Sequence, residues 1–187
     1  MAKGDLHNEN PKSDCALCDS YRHTQVLMDD ILIRKATTLD LVKLLTFEQG
    51  VIETERPFDT TLKEGDISYY DLKGMIVQDN AVVVVAELNG QIIASGYAKI
   101  ENSKPYLKHE RHAYLGFMFV APLHRGKGIN KLIIEFLKNW AISKNIRELR
   151  LDVYFQNTSA IHAYEKIGFS KHMIEMRMST QEDQSSK

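Results

Sequence analysis

The stretch Val120-Ala121-Pro122-Leu123-His124-Arg125-Gly126-Lys127-Gly128-Ile129-Asn130 leads an apolar strand, 113–120, through two glycines into an amphipathic helix. Gly126 and Gly128 free the backbone to turn tightly and to bring several N–H groups toward one anion, and the helix adds its positive N-terminal end. Arg125 and Lys127 place charge where the helix dipole alone would disfavour it. The junction therefore reads as a phosphate cradle. It is not a Walker A loop, because Gly128 is followed by Ile129 where Lys and then Ser or Thr are required. It also fails the dinucleotide fingerprint, which needs three glycines opening an early strand–loop–helix unit.

Downstream of the junction, Ile129, Leu132, Ile133, Phe136, Leu137, Trp140 and Ala141 recur at helical spacing, with Lys131, Glu135, Lys138 and Asn139 left for solvent. Trp140 belongs to that packing stripe. A strand over 148–153, a short helix over 160–166 stopped by Gly168, and a last strand over 169–178 follow. Upstream, 31–34 reads as a first strand, and Thr37 or Thr38 caps a helix containing Leu41, Leu44, Leu45 and Ile52. A charged connection with Pro57 precedes a second helix over 67–77. The run 81–88 is rich in valine, and Asn89-Gly90 turns it into a partner strand over 91–100. This order predicts a mixed α/β (α+β) sheet with helices packed against it rather than a helical bundle.

The bulk properties narrow the setting. A chain of 187 residues fills one core, so the expected organisation is a polar extension over 1–29, one domain over 30–179 and a polar tail over 180–187. With 24 Lys plus Arg against 25 Asp plus Glu, the formal charge of -1 argues against a broad basic surface for nucleic acid. No apolar run reaches the roughly 18 residues of a membrane span, and residues 1–10 are too polar for a secretory signal, so the expected location is the cytoplasm. Cys15 and Cys18 have the spacing of a redox pair or half a zinc site, but a full ligand set is missing and no metal is expected.

A second segment gives the cradle a meaning. Asn157-Thr158-Ser159-Ala160-Ile161-His162-Ala163-Tyr164-Glu165-Lys166-Ile167-Gly168-Phe169, taken with Arg125-Gly126-Lys127-Gly128-Ile129-Asn130, resembles the two hallmarks of the GCN5-related N-acetyltransferase (GNAT) superfamily. Arg125 and Gly128 match the phosphate-loop pattern, whereas Asn130 stands where the family has Gly or Ala. The likeness covers roughly 31–178 and is strongest over 113–169. It implies a mostly antiparallel twisted sheet whose central strands splay, leaving a cleft for the pantetheine arm of acetyl-CoA. It further implies that the backbone of Phe119 and Val120 meets the thioester and pantetheine, and that amides of Arg125, Gly126, Lys127, Gly128, Ile129 and Asn130 meet the pyrophosphate. Asn157 is implied to hold the pantetheine arm or to position its local helix, although an ordinary helix N-cap fits the residue nearly as well.

The resemblance assigns Tyr164 to the departing sulfur. Transfer from a thioester develops an oxyanion and expels a thiolate, and both need polar stabilisation. Many relatives place a glutamate base six residues before the strand-end valine; here that position is Tyr114, so the base is open, with His109, Glu110 and a water relay as candidates. Glu48, Glu53, Glu55 and Asp59 make the expected acceptor region acidic, which favours a basic amine. The function expected is acetyl-CoA-dependent transfer to a primary amine of a small molecule. A protein N-terminal or lysine acetyltransferase and a non-catalytic acyl-CoA-binding regulator are the alternatives, and the resemblance admits a homodimer.

Overall fold

The computed structural model describes residues 30–180. Cys15 and Cys18, with the extension that carries them, lie outside the described residues. Five strands form one sheet in chain order: β1 (Leu32–Lys35), β2 (Ala81–Leu88), β3 (Gln91–Asn102), β4 (Arg111–Val120) and β5 (Leu149–Arg150). All neighbours are antiparallel except β4 and β5, which run parallel. The β2–β3 turn is the one expected from Asn89-Gly90: both residues are left-handed, at φ 50° and 73°, as a two-residue hairpin matched to strand twist requires.

Alternation along the valine run sorts the two faces. Val82, Val84 and Ala86 join a core with Ile133, Leu137 and Trp140 from α3 (Ile129–Ser143), whereas Val83 and Val85 face α1 (Leu41–Glu55) and α2 (Leu72–Val77) through Leu44, Phe47 and Met75. The result is a sheet covered by helices on both faces, with α4 (Thr158–Ile167) completing the element order. No helix among the described residues is long and apolar enough to cross a membrane.

At the first edge, Arg34 bridges Asp40 at 2.8 Å and Glu87 at 2.8 Å, tying β1 to β2 and to the 3-10 turn Thr38–Asp40. The guanidinium, with further bonds from Thr37, holds the Asp40 carboxyl down to about 2. Its stabilising contribution is therefore complete above the ordinary aspartate value of roughly 3.9 and is lost as pH falls through the folded value. Thermal melts between pH 5 and pH 2 are expected to show a loss of Tm that is smaller in Asp40→Asn.

The middle of β4 departs from regular pairing. Gly116 pairs with Tyr97 and Phe119 with Ser95, so Phe117 and Met118 together face Gly96. Phe117 adopts φ 57°, a left-handed conformation costing a side-chain-bearing residue about 1–2 kcal/mol, and the Ser95 hydroxyl donates to its carbonyl at 3.2 Å. β5 pairs with β4 only at Ala113–Leu149 and Tyr114–Arg150. Beyond Tyr114 the two chains separate, as the expected splayed strands require.

Three expected elements are corrected. The strand over 148–153 is paired only at Leu149–Arg150, because β4 turns away at its bulge. The helix over 67–77 is confined to Leu72–Val77, because Glu48 captures the amides of Tyr69 and Tyr70 at 2.7 and 2.9 Å in extended chain. The segment 169–178 forms no strand: Phe169 packs against the core, and the rest lies exposed, held by Lys171 to Glu165 at 2.8 Å and by Arg177 to Asp59 at 3.1 Å.

Candidate active site

Gly126 and Gly128 adopt φ 76° and 79°, and Gly128 is the N-cap of α3. Both angles lie in the region that disfavours a side chain, so the turn depends on glycine here. Lys131 N closes the first turn on the Gly128 carbonyl at 3.0 Å, and the loop delivers the preceding amides of Ile129 and Asn130 to one side of the junction together with the helix dipole. Ile129 is buried in the core, so it contributes its backbone and anchors the cradle beneath. Lys127 is half-buried, and Arg125 bends back: its Nε donates to the Val120 carbonyl at 2.9 Å and its guanidinium lies 5.7 Å from the Phe119 ring centroid. Arg125 thus braces the strand end against the cradle.

Phe119 and Val120 are the last residues of β4 and pair with Ser95 and Ala94 of β3 on one side, leaving the other edge toward the gap with β5. The Phe119 ring packs 4.7 Å from Phe47, and a Cβ added to Gly50 would stand 2.6 Å from it. Gly50 thereby lets α1 lie close over the end of β4. Asn157 acts as the N-cap of α4, its Oδ1 accepting from Ala160 N at 3.1 Å. Gly168, at φ 109°, ends the same helix, and the Phe169 amide donates to the Tyr164 carbonyl at 3.1 Å. Tyr164 is thus held on a helix capped at both ends.

The Tyr164 hydroxyl is paired with Asn130 and feels the charge of Glu55. Burial pushes its pKa up to about 12, Glu55 adds to the rise, and the bond from the Asn130 amide opposes it. The residue at which the cradle departs from its family pattern is therefore a partner of the tyrosine. Neither Asn130 nor Tyr164 has a signal in spacing that connects them; α3 and α4 bring them together.

The acidic residues of the expected acceptor region separate into different jobs. Glu48 is 1% exposed and accepts from Ser68 Oγ, Tyr69 N and Tyr70 N, fixing that segment over the sheet. Glu53 pairs with Arg56 at 2.8 Å, and Asp59 is held by Thr61 and Arg177. Glu55, the last residue of α1, stays among Tyr69, Tyr154 and Tyr164, and burial raises its pKa. The Tyr69 hydroxyl is buried against it and completes no well-formed hydrogen bond. Glu48→Ala is expected to cost about 2–4 kcal/mol in urea denaturation, because two part-buried amides lose a charged acceptor.

His109 and Glu110 precede β4 at its far end, about 30 Å from Val120 at ~3.3 Å per strand residue, and His109 is engaged by Arg150 at 2.8 Å. They are excluded as bases at the strand end. Tyr114 instead donates to Asp152 at 3.0 Å. Sequence reading missed Asp152 and the grouping of Tyr69, Tyr70, Tyr97 and Tyr114, which come from three separate parts of the chain. Among the described residues no cluster of three or more His, Cys, Asp or Glu is placed to hold a metal.

Comparison with known proteins agrees with this geometry. The model of the acetyltransferase (GNAT) family matches residues 43–169. Streptothricin acetyltransferase of Escherichia coli is 36% identical over 64 residues, covering 34% of this chain and 37% of that protein. The Streptomyces lavendulae protein of the same name is 41% identical over 51 residues, 27% of each chain. These alignments span about a third of the relatives' length or less. A predicted acetyltransferase from Clostridium acetobutylicum, solved with acetyl-CoA, superposes with a TM-score of 0.61 at 23% identity over 80% of this chain and 96% of that one. The splayed sheet, the glycine cradle at its open end and a family match over most of the chain lead to one conclusion: this chain belongs to the acetyltransferase (GNAT) family.

Proposed function

We propose that residues 30–179 transfer the acetyl group of acetyl-CoA directly to a primary amine of a small molecule. The observation that carries this reading is the pairing of the Tyr164 hydroxyl with Asn130, the last residue of the phosphate cradle, with the charge of Glu55 at the end of α1 acting on the same phenol. In this reading the cradle supplies the phosphate site, Tyr164 the hydroxyl for the leaving group and Glu55 the carboxylate for the proton. The streptothricin acetyltransferases support a small-molecule acceptor, and the acetyl-CoA complex of the Clostridium relative supports the donor.

In this reading the amides of residues 126–130 bind the pyrophosphate, and the open edge of β4 at Phe119 and Val120 takes the pantetheine arm. The amine nitrogen attacks the thioester carbon, the C–S bond breaks, and sulfur leaves with its electron pair toward the Tyr164 hydroxyl. Glu55 takes the proton that the ammonium must lose before attack, since an alkyl ammonium has a reference value of roughly 10.4. The second nitrogen proton, acidic once the C–N bond has formed, passes through solvent to the departing sulfur, so that amide and CoA thiol are released. Asn130 aims the phenol. Asn157 positions α4 through its cap and thereby Tyr164.

The test is incubation of the purified protein with isotopically labelled acetyl-CoA and a pooled library of metabolites and peptides, with the label located by mass spectrometry. Label on small amines alone is the expected result. Label on peptide N-termini or lysines would reject the small-molecule acceptor, and no labelled product would reject the activity.

A further inference from the structure

A cavity of about 260 Å³ lies between the segment leading into α2 and the sheet, on the same face as Glu55. Tyr69, Tyr70, Tyr97 and Tyr114 line it, with Asp71, Lys99 and Glu101. The rings form a connected group: Tyr70 stands edge-on to Tyr97 at 5.4 Å and to Tyr69 at 5.7 Å, and Tyr97 lies 6.5 Å from Tyr114. Behind Tyr114, the Asp152 carboxylate accepts its hydroxyl at 3.0 Å. Gly116 makes room for this arrangement, since a Cβ there would stand 2.6 Å from the Tyr97 ring.

The charge on these walls has one sign in excess. Among the lining residues Glu101 and Asp71 outnumber Lys99, and Asp152 adds a further carboxylate through its bond to Tyr114. His112 stands 3.8 Å from Glu101, but burial lowers its pKa, so it leaves the carboxylate charge uncompensated at neutral pH. Asp152 is bonded to Tyr114, and Glu101 lines the pocket beside Tyr97 and Tyr114. Aromatic faces backed by carboxylates are the surroundings that attract an organic cation. An anion would meet repulsion here, and a neutral apolar group would draw no attraction from the carboxylates.

Tyr69 connects this cavity to the reacting end of the site, because it lines the cavity and its buried hydroxyl sits beside Glu55. We infer that the cavity is a second cation subsite for the acceptor, so that the substrate carries an ammonium or guanidinium group in addition to the amine that is acetylated. This rests on the acyl-transfer reading above for the first amine, but the cavity's preference for a cation is independently measurable.

Calorimetric titration of the full chain with CoA compares straight-chain diamines of three to eight carbons with the monoamines of equal length. The expected result is a diamine length that binds about tenfold or more tightly than its monoamine, with that preference reduced several-fold in both Glu101→Gln and Asp152→Asn. Both variants are near-isosteric, and an unchanged Tm verifies their folding. Equal binding of the two amine series, no binding of either, or a preference untouched by both substitutions would overturn the subsite. The same samples, supplied with acetyl-CoA, separate the two readings. A diamine preference without any acetylated product leaves the subsite standing and removes the transferase reading. Equal acetylation of monoamines and diamines does the reverse.

Discussion

Tyr164→Phe is expected to lower kcat about 10²–10³-fold while the affinity for CoA stays within about twofold. The phenol is buried and its pKa stands near about 12, against roughly 8.5 for a thiol, so handing its proton completely to the leaving thiolate is about 5 kcal/mol uphill. The hydroxyl therefore works as a donor to sulfur as negative charge develops, an interaction stronger in the transition state than in the ground state. Phenylalanine keeps the ring, its edge contact with Phe169 at 6.0 Å and its place against the core, so fold and donor binding persist. Asn130→Ala is expected to give a smaller loss of the same kind, since it removes the bond that lowers the phenol's pKa and aims it. Steady-state kinetics with a verified acceptor, beside titration with CoA, provide the check. An unchanged kcat in Tyr164→Phe would remove the leaving-group role, and parallel loss of kcat and CoA affinity would assign the residue to structure.

The parts of this site that were legible in sequence are those whose physics is local. Two glycines before a helix specify a left-handed turn and a set of exposed amides, and Asn157 and Gly168 cap one short helix at its two ends. Asn89-Gly90 fixes a hairpin in the same way. The strand over 148–153 and the final strand over 169–178 failed for the opposite reason: strand propensity describes a fit to a pleated surface, and whether a partner is present is a tertiary fact. The Phe117 bulge, set by contacts with β3, decides how far β5 can pair. Glu48 likewise decides where α2 begins from more than twenty residues away. The tyrosine cavity draws on a loop, β3 and β4, so no spacing in the chain could have assembled it.

The acidic region around α1 is the sharpest case, because four carboxylates that look alike in sequence have four different surroundings. Of the four, only Glu55 combines partial burial with a charge that acts on Tyr164, and Glu55→Gln is expected to lower kcat/KM about 10²-fold. Burial raises its pKa, which makes it a stronger base than an ordinary glutamate, while the Tyr69 hydroxyl pulls weakly the other way. The sign for activity follows from the base form. Below its folded pKa Glu55 is neutral and cannot accept the ammonium proton, so kcat/KM falls as pH falls, with a midpoint displaced above the ordinary glutamate value of roughly 4.3. In Glu55→Gln that limb should vanish, leaving only the rise at higher pH that tracks deprotonation of the free amine. Isosteric glutamine keeps the helix end intact, so melts of the two proteins should coincide where Glu55 is neutral and the variant should be the more stable where it is charged. A uniform loss at every pH, with the low-pH limb still in place, would instead make Glu55 an anchor for the ammonium ion and leave its proton to solvent.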